Sequence, residues 1–132
     1  MVSALALAAI LIQSPEYTAA SVVNAATNRP GPVSPNSYLS IYGRNLSWNT
    51  AWIRAGDIAS GVLPTSLPGS GVRVFLGNIA VYPFYVSPTQ INVLIPPSHS
   101  HGSPDLVVHR DGVVGPRVAV TVDSVSPALF QQ

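Results

Sequence analysis

Four separate runs of this chain place apolar residues at every second position, a period that strands can use and helices cannot. Leu39 and Ile41 alternate with Tyr38, Ser40 and Tyr42. Val72, Val74 and Leu76 form a second series, Ile91, Val93 and Ile95 a third, and Val118, Val120 and Val122 a fourth. Successive side chains of an extended chain point to opposite faces, so each series lines one face of a half-buried strand. No comparable 3.6-residue series follows residue 20.

Turn chemistry separates the runs. Arg29-Pro30-Gly31-Pro32 and Ser34-Pro35-Asn36 are turn segments, and Pro96-Pro97 ends the third series. Gly77-Asn78 and Asp111-Gly112 are two-residue hairpin turns, because these residues tolerate positive φ. Gly43 marks a bulge or bend. Pro83 restricts the strand that returns over Ile79–Tyr82 to an edge or a break, since it offers no N–H to a ladder. Trp48 to Pro68 reads as an irregular excursion. With Val22–Ala26, Asp105–Arg110 and Gly115–Val122 added, the chain yields about seven strands. The fold class expected is all-β, an immunoglobulin-like antiparallel β-sandwich over residues 21–132, behind an apolar N-terminal segment over residues 1–20. Its core should hold Leu39, Ile41, Val72, Val74, Ile91, Val93, Val118 and Val120.

Charge narrows the function. Only 8% of the 132 residues are charged, and the net charge is +1. Every basic residue is an arginine, and Arg29, Arg44, Arg54, Arg73, Arg110 and Arg117 are scattered, so there is no stripe for nucleic acid. Cysteine is absent, which removes disulfides and thiolate metal sites. A surface so poor in charge suits an extracellular or cell-surface module better than a free cytosolic monomer.

The run from Val2 to Ile12 is apolar except for Ser3. It is shorter than the ~20 residues a spanning helix takes, so no membrane span is expected. It has the length of a signal-peptide core, with Thr18-Ala19-Ala20 as a cleavage site before Ser21, yet no basic residue precedes it. Its other reading is an assembly segment, in which Val2, Leu5, Leu7, Ile10, Leu11 and Ile12 seat on a neighbouring copy.

Several segments carry a family resemblance. They are Val22-Val23-Asn24-Ala25-Ala26, Ser40-Ile41-Tyr42-Gly43-Arg44-Asn45-Leu46 and Leu63-Pro64-Thr65-Ser66-Leu67. The most specific is Tyr85-Val86-Ser87-Pro88-Thr89-Gln90-Ile91-Asn92-Val93-Leu94-Ile95-Pro96, and Ser126-Pro127-Ala128-Leu129-Phe130 closes the series. In this order they resemble the uncharacterised C-terminal domain of Solibacter-type (acidobacterial) secreted proteins, itself similar to IPT/TIG immunoglobulin-like domains. The resemblance implies an extracytoplasmic β-sandwich, usually appended to larger secreted proteins, and implies no activity. Ser47–Gly61 is long for that pattern, and the domain here stands nearly alone.

Candidate chemistry is sparse. His99-Ser100-His101 has a two-ligand spacing, with His109 or Asp105 as a third donor, but two ligands do not make a site. The pair reads instead as a polar loop whose ring nitrogens meet water. Ser100, His101 and Asp105 form no triad context, and Glu16, Asp57, Asp105, Asp111 and Asp123 suggest no acid pair. Gln90 and Asn92 read as ties from strand to loop through backbone groups. No catalytic residue, metal or cofactor is assigned. The aromatics are the binding candidates: Tyr38, Tyr42, Trp48, Trp52, Tyr82 and Tyr85. The function expected is a non-enzymatic extracellular structural or adhesive module. Its partner is a protein, including itself as homo-oligomer or filament. The alternative is a carbohydrate-binding module whose partner is a glycan.

Overall fold

The computed structural model describes residues 13–123. The run from Val2 to Ile12, and with it the assembly-segment residues, lies outside the described residues, as does Ser126–Phe130. A 3-10 turn at Ala19–Ser21 leads into β1 (Val22–Asn24), β2 (Tyr38–Tyr42), β3 (Ala51–Trp52), β4 (Val72–Leu76) and β5 (Ile79–Ala80). The chain continues through β6 (Tyr82–Val86), β7 (Gln90–Leu94), β8 (Asp105–Arg110), β9 (Val113–Val114) and β10 (Val118–Ala119). The first sheet has the order β1-β2-β7-β6-β3, and the second β10-β8-β4-β5 with β9 also on β8. All these pairs are antiparallel.

In immunoglobulin lettering β1, β2, β7 and β6 take the places of A, B, E and D, and β10, β8, β4 and β5 those of G, F, C and C′. β3 is an addition at the outer edge of β6, supplied by the long connection between β2 and β4. The alternating residues meet between the sheets. Ile41, Val72, Val74, Ile91 and Val93 are 0% exposed, and Leu39, Val118 and Val120 are also buried. Each large aliphatic side chain removed from water contributes about 1.5–3 kcal/mol before ordering costs.

Besides the added β3, the chain is cut into more strands than its alternation announces at two places. The return from Gly77 is an edge strand, β5, that breaks at Val81, as expected, while Pro83 itself lies inside β6, an interior strand of the first sheet. The missing N–H is absorbed where the β6–β7 register slips between Pro83 and Tyr85. The return from Gly77 therefore stays in the second sheet only for Ile79–Ala80, and the chain then crosses to the first at Tyr82. Gly115-Pro116-Arg117 splits the last strand into β9 and β10, both on the same side of β8.

Both hairpin turns form as read. Asp111 and Gly112 have φ of 51° and 82°, the primed geometry, whereas at Gly77-Asn78 only Gly77 is positive, at 66°. Gly43 is not a bulge. A β-carbon there would collide with the Glu16 carbonyl, because Glu16 pairs antiparallel with Arg44 alongside it. Pro15 and Tyr17 are buried with the sandwich, so its packed edge lies upstream of the boundary expected at residue 20. Among the described residues no helix is long and apolar enough to cross a membrane.

Candidate functional site

The slip in β6 shapes the outer face of the first sheet. In a regular strand Tyr82, Phe84 and Val86 would share a side. The extra residue instead turns Val81, Pro83 and Val86 inward, where all are buried, and leaves Tyr82, Phe84 and Tyr85 half-buried on the outside. Register then builds rows across the sheet. Tyr38, Leu94 and Tyr82 form one, and Ser40, Asn92, Tyr85 and Trp52 the next. Tyr42 sits opposite Gln90 at the far end.

Five of the six aromatic candidates thus share this face. Tyr38 meets Phe84 edge-on at 5.2 Å, and Trp52 lies tilted on Tyr85 at 5.5 Å. The connection between β3 and β4 folds back beside β6 and adds Ile53, Ile58 and Leu63. With Tyr38, Tyr82, Phe84 and Leu94 these enclose an apolar groove of about 450 Å³. Sequence reading missed Phe84 because it ended the strand at Tyr82. It missed Ile53, Ile58 and Leu63 because an irregular segment has no period to show which side chains turn toward the sheet.

Between the groove and Tyr42 runs a short polar strip. Ser40 Oγ donates to Asn92 Oδ1 at 2.9 Å, and Gln90 Nε2 donates to the same oxygen at 3.1 Å. These amides bond side chain to side chain. The tie from strand to loop is made instead by Ser87 Oγ, which accepts from Thr89 and Gln90 N–H groups. A second, polar pocket of about 360 Å³ lies along β3, walled by Trp52 and lined by Asn49, Thr50, Arg54 and Asp57.

Trp48 belongs elsewhere. Its indole N–H donates to Asp111 Oδ2 at 2.6 Å, and the Arg110 guanidinium lies 4.0 Å from its ring centroid. Arg110 is 1% exposed and is among the largest fully buried side chains. It donates to the Asn45 and Gln13 carbonyls, while its Nε has no partner. Among the described residues the only ion pair is Arg44–Glu16, at 3.3 Å on the surface, so carbonyls and a ring hold Arg110 in place of a carboxylate. Tyr17 anchors the same N-terminal segment. Its hydroxyl accepts from Val108 N–H at 2.8 Å and donates to the Pro116 carbonyl at 2.6 Å, filling the gap between β9 and β10. Burial pushes its phenol pKa up, against an opposing pull from the Val108 hydrogen bond. Neither role had a sequence signal, since each joins residues far apart in the chain.

The histidines do not converge. His99 is buried, not in water, and its ring nitrogens lie 2.9 Å from the Ser100 and Leu76 carbonyls. His101 is exposed, and His109 packs on Phe75 at 4.8 Å. Among the described residues no group of three His, Cys, Asp or Glu is placed to hold a metal ion.

No family model and no curated protein matches the chain.

Proposed function

We propose that this domain is a non-enzymatic structural or adhesive module of the cell exterior, acting by protein contact through the outer face of its first sheet. One observation carries the reading: that face is uncharged and holds an apolar groove. None of its five strands contains Asp, Glu, Lys, Arg or His. Tyr38 remains 52% exposed and Trp52 60%, beside a groove walled by aliphatic and aromatic side chains. An apolar patch of this kind on a small domain marks an interaction surface. Its anchors are the residue types that dominate protein contacts. The resemblance to secreted accessory domains supports the same setting.

The probe 1-anilinonaphthalene-8-sulfonate tests the surface directly. The folded chain should enhance its fluorescence, and Tyr38→Glu should abolish the enhancement while Trp48→Phe leaves it intact. Enhancement equal in all three proteins would place the apolar surface elsewhere and sink the reading.

A glycan-binding reading rests on a different observation. Trp52 walls the polar pocket that Asn49, Thr50, Arg54 and Asp57 line, and a ring beside hydrogen-bonding groups suits a sugar. Two of those groups are already engaged: Asn49 Nδ2 donates to Gly69 and Asp57 accepts from the Arg54 N–H, which favours the protein-contact reading. Titration with cellohexaose and chitohexaose separates the two. Saturable binding lost in Trp52→Ala, with Tyr38→Glu unaffected, would replace the first reading by the second.

A further inference from the structure

We infer that the groove on the first sheet is the acceptor for the apolar N-terminal run, Val2 to Ile12, of a second copy of this chain. This rests on the contact-face reading above and names its partner.

The direction of the chain supports it. β2 runs from Tyr38, at the groove, to Tyr42 and on to Arg44 at the other end of the sheet. Glu16 pairs antiparallel with Arg44, so tracing back from Glu16 to Gln13 continues away from Tyr38. Arg110, next to the β8–β9 turn, fixes that exit by binding the Gln13 carbonyl. Gln13, where the described residues begin, therefore lies at the end of the sheet opposite the groove. To enter its own groove the run would have to reverse and pass Tyr42, Gln90 and Asn92.

The chemistry matches. The run is apolar apart from Ser3, and no charged side chain lines the groove. Three strands at ~4.8 Å spacing plus the folded-back connection give a groove about 15 Å long. One face of a ten-residue helix is about as long. Docked as a helix, the run would put Leu7, Ile10 and Leu11 on one such face, at spacings of three and four. The donor run joins the domain at Gln13 and the acceptor is the groove at the other end of the sheet, so the contact is head-to-tail. It propagates into a filament unless its rotation closes a ring.

Sedimentation velocity on the full chain tests this with two substituted full-length chains. Leu7→Asp/Ile10→Asp disables the donor and leaves the groove. Tyr38→Glu disables the acceptor and leaves the run. The unmodified chain should form species whose mean mass rises severalfold with concentration, and each variant alone should remain a monomer. Mixed in equal amounts, the variants should form a one-to-one dimer and nothing larger, since each complex has one good donor in one good acceptor. An unmodified chain that stays monomeric, a donor variant that still polymerises, or a mixture that stays monomeric would each overturn the inference. A monomeric unmodified chain that still binds the dye at Tyr38 would leave the contact-face reading standing without it.

Discussion

The two sheets share one core and present different outer surfaces. The second sheet turns Arg73 and Asp105 to solvent and stacks His109 on Phe75, as expected of a face that meets water. The first sheet offers tyrosines, Phe84, Leu94 and Trp52 around a groove, with only the Ser40–Asn92–Gln90 strip for polarity. Both sheets are held together from inside, by residues such as Ile41, Ile91, Val74 and Val108, all 0% exposed. The inner faces make the core, and the aromatic outer face of the first sheet keeps Tyr38 and Trp52 more than half exposed although their rings meet Phe84 and Tyr85. Substitutions on the inner side should cost stability, and those on the outer side should cost contact.

The largest expected effect is Ile91→Asp. It places an unpaired carboxylate at a position with 0% exposure, and thermal or urea unfolding should show a loss of several kcal/mol, enough to unfold a marginal domain. A loss under about 1 kcal/mol would mean that the inner face is not the core. Arg110→Ala should come next, at about 2–4 kcal/mol. It leaves the Gln13 and Asn45 carbonyls unpaired and a void beneath Trp48. Arg54→Ala should be silent by the same measurement, because its exposed side chain makes no described hydrogen bond and only its backbone N–H meets Asp57.

Tyr17→Phe is a smaller step, about 1–3 kcal/mol, since it leaves the Val108 N–H and Pro116 carbonyl without their bridge. It also carries a pH signature. Burial raises the Tyr17 pKa on folding, so the neutral phenol is favoured in the native state. That contribution is complete below the unfolded value near pH ~10 and is lost as pH rises through the folded value. Urea midpoints measured from neutral pH upward should fall more steeply for the natural chain than for Tyr17→Phe. Parallel curves would show that the phenol is not linked to folding.

The core was legible because alternation reports burial directly: all eight expected core residues are buried. The Asp111-Gly112 turn was legible because its φ values demand those residue types. β6 was not, because a proline usually excludes an interior strand and only a register slip admits it. That same slip puts Tyr82, Phe84 and Tyr85 on one side, so missing it hid the groove. Aromatic residue type singled out Tyr38, Tyr42, Trp52, Tyr82 and Tyr85, which register brings to one face, but type alone could not separate them from Trp48. The position of Trp48 is set by Arg110 and Asp111, more than sixty residues away. The Arg110 clamp was invisible for a similar reason, since a buried cation held by carbonyls leaves no charge pattern in the sequence.

The most direct test measures both properties on one protein. Tyr38→Glu in the full chain should unfold in urea within about 0.5 kcal/mol of the natural chain, as a surface substitution does. The same sample should lose its binding of 1-anilinonaphthalene-8-sulfonate. A destabilisation of the size of a core truncation, about 2–5 kcal/mol, or dye binding that survives the substitution, would contradict the proposed division between an inner face that folds the first sheet and an outer face that makes contact.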